Sequence, residues 1–196
     1  MSKPLKFALA AAVVLVLGLS AQATVAAWRA EGEVNAGSLK TGTLSLKVGN
    51  GLSAHSDYVF QELQTQTLLP GTFIQAPLTI SNAGTAPLAY GLAGIATGTE
   101  SSQAKDKALA AAVTVSIYAG IPAVNCQGTQ ALNGQLLYSG ALNSNATFPS
   151  PRELASTGSA TSTDVLCVRL GLPAGATQNA AGGSMAVTLS FTGQQK

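Results

Sequence analysis

Charge is scarce in this chain: Lys, Arg, Asp and Glu make up 9% of its 196 residues, and the formal net charge is +2. A nucleic-acid interface draws its affinity from a dense basic patch that neutralises phosphates, so ten bases scattered among eight acids exclude one. Histidine is almost absent, His55 being the only one. That leaves no His-Glu-x-x-His motif and no two-histidine zinc site. Aromatic residues reach only 5%, so the core has to be built from Val, Leu, Ile and Ala. What is abundant is apolar material, at 46%, which excludes intrinsic disorder and supplies a core for one domain of ordinary size.

The longest apolar run lies near the N-terminus. Lys3 and Lys6 precede an uncharged stretch over residues 7–19, a basic region followed by a hydrophobic one. As a helix at about 1.5 Å per residue this stretch covers roughly 20 Å, short of the ~30 Å hydrocarbon core. Residues 1–26 therefore read as a signal-peptide helix, with no stable membrane span left after cleavage. Two junctions satisfy the small-residue rule: between Ala26 and Ala27, or, alternatively, between Ala23 and Thr24. Removal of Lys3 and Lys6 leaves residues 27–196 with equal numbers of acidic and basic groups. In an exported chain the two cysteines, Cys126 and Cys167, read as a disulfide. Closing a loop of about 40 residues contributes roughly 3–4 kcal/mol on the chain-entropy account.

Beyond the export segment the pattern is that of strands. Trp28, Ala30, Gly32, Val34 and Ala36 alternate with Arg29, Glu31, Glu33, Asn35 and Gly37, small or apolar against mostly polar. Leu44, Leu46 and Val48 share one face of the next strand, and Gly49-Asn50-Gly51 ends it. Residues 73–80 follow the turn at Pro70-Gly71, with Pro77 marking an edge strand or a bulge. Further strands are expected at residues 88–95, 113–118, 136–138, 165–170 and 185–191, and short helices at residues 105–112 and 151–155. Around eight strands separated by Gly, Ser, Thr, Asn and Pro turns predict an all-β fold. Its class is an antiparallel jelly-roll-like β-sandwich with one or two short helices, in one domain over residues 27–196.

Catalytic constellations are thin. His55-Ser56-Asp57 holds the residue types of a hydrolase triad, but triads assemble in space, and no Gly-x-Ser-x-Gly elbow accompanies it; it reads as a solvated loop. Glu31 and Glu33 beside Arg29 read as a polar strand edge and not as an acid/base pair. Gly91 and Gly94 belong to no phosphate loop, and Asn145-Ala146-Thr147 matches a glycosylation sequon, a short pattern with a high chance rate. No catalytic residue, metal ligand or cofactor site is assigned.

Several motifs occur in a definite order. Ala23-Thr24-Val25-Ala26-Ala27-Trp28 is followed by Gly37-Ser38-Leu39-Lys40-Thr41-Gly42-Thr43-Leu44-Ser45-Leu46-Lys47-Val48. Leu69-Pro70-Gly71-Thr72 then stands ahead of Leu78-Thr79-Ile80-Ser81-Asn82-Ala83-Gly84. Leu166-Cys167-Val168-Arg169-Leu170-Gly171-Leu172-Pro173 and residues 184–194 complete the series. In this order the chain resembles the TasA/camelysin family of exported proteins with the alternate, SipW-type signal, in its actinobacterial branch. The resemblance implies a jelly-roll sandwich, export with processing by a dedicated signal peptidase, and, as in the best-known members, extracellular fibres. In such fibres the N-terminal strand of one subunit completes the sheet of the next.

The expected function is accordingly that of a secreted structural protein, a fibre, biofilm-matrix or cell-surface subunit whose partner is itself or a related matrix subunit. Residues 27–40 would be the exchanged segment, with Trp28, Ala30, Gly32, Val34 and Ala36 as its docking face and Cys126–Cys167 stapling the body; the same pattern also suits an ordinary edge strand pairing within its own sandwich, which one sequence does not distinguish. The alternative is a monomeric secreted binding module using loops near residues 54–57 or 143–152. A secreted hydrolase or metalloprotease, which the family's name also implies, finds no ligand cluster in this sequence.

Overall fold

The computed structural model describes residues 41–50, 67–98 and 103–196, together with Pro4, Leu63 and the backbone of Ala54 and His55. Nine strands occur among them: β1 Leu46–Gly49, β2 Ala54–His55, β3 Thr72–Asn82, β4 Leu88–Gly98, β5 Thr114–Ala119, β6 Gln135–Ala141, β7 Arg152–Leu154, β8 Thr163–Leu172 and β9 Ala186–Gln195. They form a six-stranded sheet in the order β2-β1-β3-β8-β5-β6 and a three-stranded sheet in the order β7-β4-β9. Every pairing is antiparallel. These strands belong to one compact unit, Thr41–Lys196.

The two sheets face each other across one core. From the larger sheet come Leu78 and Ile80 on β3, Val115 and Ile117 on β5, and Leu166, Val168 and Leu170 on β8. From the smaller sheet come Leu88, Tyr90, Leu92 and Ile95 on β4 and Leu154 on β7. The chain is thus an all-β sandwich, and alternation turns the intervening residues outward, among them Thr79 and Ser81 on β3, Ser116 on β5 and Arg169 on β8. Tyr90, Phe148 and Phe191 meet edge to face or tilted, with ring centroids 6.3–6.4 Å apart, so a sequence poor in aromatics gathers three of them in one place.

The α-helix whose range lies among the described residues is α1, Ala104–Ala112, and two short 3-10 helices, Ala123–Asn125 and Gln178–Ala180, accompany it. Ala and Lys favour it, and it ends at Val113, whose side chain is fully buried and whose N–H bonds the Leu109 carbonyl. Asp106 is tucked beneath it, its Oδ1 accepting the Ser184 N–H at 2.7 Å. The second expected helix, residues 151–155, is a correction. Arg152–Leu154 is a strand, pairing Leu88↔Leu154 and Tyr90↔Arg152. Burying Leu154 against β4 outweighs the weak helical tendency of a segment too short to nucleate a helix. Pro77 needs a qualification as well. β3 is an inner strand, but β1 pairs only with Thr79–Asn82, so Pro77 lies beyond the reach of β1 and its missing N–H breaks no bond on that side.

The turn from β3 to β4 explains part of the motif series. Asn82, almost fully buried, donates from Nδ2 to the Ala86 and Ala155 carbonyls at 2.8 and 2.9 Å and accepts the Gly84 N–H on Oδ1 at 2.8 Å. Gly84 is required because a Cβ there would lie 2.1 Å from the Thr43 carbonyl oxygen. The Gly42-Thr43 and Asn82-Ala83-Gly84 motifs therefore touch, and Thr43 and Thr85 bond each other through backbone and hydroxyl. They record architecture and not chemistry.

Candidate assembly edge

Two sheets of unequal width cannot cover each other. β9 ends the smaller sheet, paired on one side with β4 over Leu88–Gly98. Among the described residues its other side carries no strand. Val187, Leu189 and Phe191 point toward the core, opposite Thr97, Ile95 and Leu92, yet they stay half-buried where their β4 partners Ile95 and Leu92 are closed off. Facing them across the gap lies β1: a Cβ on Gly193 would rest 3.7 Å from Leu46. Leu46 and Val48 are half-buried too, and Leu44, on the same alternation, is 47% exposed. Among the described residues the sandwich is therefore open along the side shared by β9 and β1.

The four sheet edges differ in how they are protected. β2 has two residues, and β7 has three with Arg152 and Glu153 among them. β6 is disrupted by a register shift against β5. β9 runs for ten residues, Ala186-Val187-Thr188-Leu189-Ser190-Phe191-Thr192-Gly193-Gln194-Gln195, without a charge or a proline. Natural proteins blunt exposed edges by shortness, charge, Pro or bulges, and β9 uses none of these along its own length. The one irregularity in its pairing is on β4, where the register shifts between Leu92 and Gly94. Gly94, at φ 146°, tolerates no side chain because a Cβ would lie 2.4 Å from the Ser144 carbonyl oxygen.

The far face of the larger sheet is closed by a strap. Cys167 points outward from β8 and is joined to Cys126, their Cα atoms 5.6 Å apart and both fully buried. Ile121, Tyr118 and Leu132 pack around this disulfide. The same strap is held by Gln75, whose Nε2 donates to the Gln127 and Gln130 carbonyls at 3.3 and 3.1 Å.

The expected disulfide of Cys126 and Cys167 is thus present. The cleavage residues Ala23, Thr24, Ala26 and Ala27, the docking face Trp28, Ala30, Gly32, Val34 and Ala36, and Glu31 and Glu33 lie outside the described residues. His55 lies on β2 with its backbone opposite Val48, and Ser56 and Asp57 are outside the described residues. Asn145 is exposed in the loop between β6 and β7, its N–H bonded to Asn143 Oδ1 at 2.8 Å. Among the described residues no group of three or more His, Cys, Asp or Glu side chains gathers as metal ligands do. Sequence reasoning marks the alternation of β9 but not that its inner face is half open, which depends on the width of the opposing sheet. Compared with protein-family models and with curated proteins, the chain matches none.

Proposed function

We propose that this protein is a secreted structural subunit that assembles with copies of itself, or with a related matrix subunit, by strand addition along β9. The observation that carries the reading is the long, uncharged β9 edge with its half-buried inner face. An added strand gains main-chain hydrogen bonds from the edge and buries Val187, Leu189 and Phe191 with its alternate side chains. Residues 28–36 suit that task in length and pattern: nine residues span about 30 Å, comparable to β9, and their apolar face is small except for Trp28. The resemblance to the TasA/camelysin family supports the same mechanism, with a jelly-roll body and a SipW-type signal removed by signal peptidase. A buried disulfide supports an oxidising, extracellular location.

The test is the size distribution of the full chain under conditions that process the signal, followed by sedimentation and electron microscopy. Wild type is expected to form elongated polymers. Val187→Lys, an inward charge on the edge strand, is expected to shift the population to monomer with the β fold retained by circular dichroism. A wild type that stays monomeric at high concentration and across acidic pH would replace this reading with the monomeric binding module.

A further inference from the structure

The outer face of the larger sheet, away from β9, carries a shallow groove of about 320 Å³ beside the turn that precedes β3. Its floor is Gly171 on β8, and register places Phe73 of β3 on one side and Thr114 of β5 on the other. A Cβ on Gly171 would sit 3.3 Å from Thr114 Oγ1 and 3.9 Å from Phe73 Cβ, so the missing side chain is what opens the groove. Arg169 borders it two residues back along β8, and Pro173 and Ala174 border the opposite end.

Arg169 is fixed in place by neutral groups. Its Nε and Nη2 donate to Gln75 Oε1 at 2.9 and 2.6 Å, and Nη2 also donates to the Gln130 carbonyl at 3.0 Å. The guanidinium carbon lies 4.0 Å from the centre of the Phe73 ring. Nη1 makes none of these bonds. The three carboxylate side chains among the described residues are engaged elsewhere: Asp164 pairs with Arg152, Glu153 pairs with Lys196, and Asp106 accepts the Ser184 N–H. Among the described residues, then, Arg169 is a cation held by neutral groups, with no counter-charge, at the border of a mostly apolar groove. Burial pulls its pKa below the ordinary value, against a smaller upward pull from Tyr118.

We propose that this groove is a binding subsite for a small organic carboxylate with an apolar body. The carboxylate accepts from Arg169 Nη1, and the body lies over Gly171 against Phe73, Pro173 and Ala174. One cation matches a monoanion, and the apolar walls favour an organic body over an inorganic anion. The site is on the opposite sheet from β9 and stands independently of the assembly reading.

The probe is benzoate, titrated into the full chain labelled with nitrogen-15, with benzamide in parallel to keep the ring and remove the charge. Millimolar benzoate is expected to move the Phe73, Arg169 and Gly171 amide signals saturably, with benzamide about tenfold weaker or more. Thr114→Glu, which sets a carboxylate beside Arg169 without touching Gln75 or Gln130, abolishes the response. Arg169→Gln, which removes the charge and keeps a donor toward the neutral partners, does the same. Equal response to benzamide, no saturation with benzoate, or an unchanged response in either folded variant overturns the proposal.

Discussion

Tyr90 is 1% exposed, and its hydroxyl donates to Asp164 Oδ2 at 2.6 Å, the same oxygen that Arg152 Nε reaches at 2.5 Å. The Asp164 hydrogen bond holds the Arg152 guanidinium above its ordinary pKa. Burial, then the bond to Asp164, pushes the Tyr90 phenol above its ordinary value of 10.0. The folded state thus prefers the protonated phenol. The stability this contributes is fully present below the unfolded pKa near 10 and is lost as pH rises from there toward the folded value. Tyr90→Phe is expected to cost about 1.5–3 kcal/mol at neutral pH, since a hydrogen bond to a charged acceptor is lost. Above pH ~10 the wild type should lose up to about 1.4 kcal/mol per pH unit through this group, and the variant should not. Urea unfolding of both proteins at neutral and alkaline pH checks this: the two stabilities should converge as pH rises, and a constant gap would contradict it.

At the scale of elements, what a strand's own residues encode was legible and what its neighbours impose was not. The alternation in residues 73–80 and 185–191 identified β3 and β9, and the alanine-rich run at residues 105–112 identified α1. Arg152–Leu154 carries no legible strand signal, because its pairing is with β4, some sixty residues away in sequence, and three residues have no period of their own. Val187, Leu189 and Phe191 alternate in the same way whether the strand is covered or half open, so the edge had no local signal. Gln75 and Arg169 are 94 residues apart, and their bond, which ties β3 and β8 to the strap, follows only from the register Gln75↔Arg169. The strap itself is the part the cysteine count anticipated. Its disulfide closes a separation of 41 residues, which on the chain-entropy account contributes about 4 kcal/mol. Changing Cys126 and Cys167 together to Ser should lower the urea-unfolding free energy by roughly that amount. Because both sulfurs are buried, reductant should act on the wild type slowly in water and readily in partial denaturant. Fast reduction of the native protein would contradict the burial.

For the molecule as a whole, the proposed removal of residues 1–26 would take away Lys3 and Lys6 and leave opposing charges in balance, so little long-range repulsion would separate one copy from another. Charge balance would permit association without directing it; in the proposed assembly, direction would come from the side between β9 and β1. Assembly as proposed requires residues 28–36 of one copy to pair with β9 of another. A photoreactive group at Trp28 in assemblies made from an equal mixture of nitrogen-14 and nitrogen-15 chains tests it directly, with the cross-linked peptides read by mass spectrometry. Links are expected from position 28 to peptides of Ala186–Gln195, about half of them joining a light chain to a heavy one. Links confined to chains of one isotope, or links that avoid β9, would contradict it.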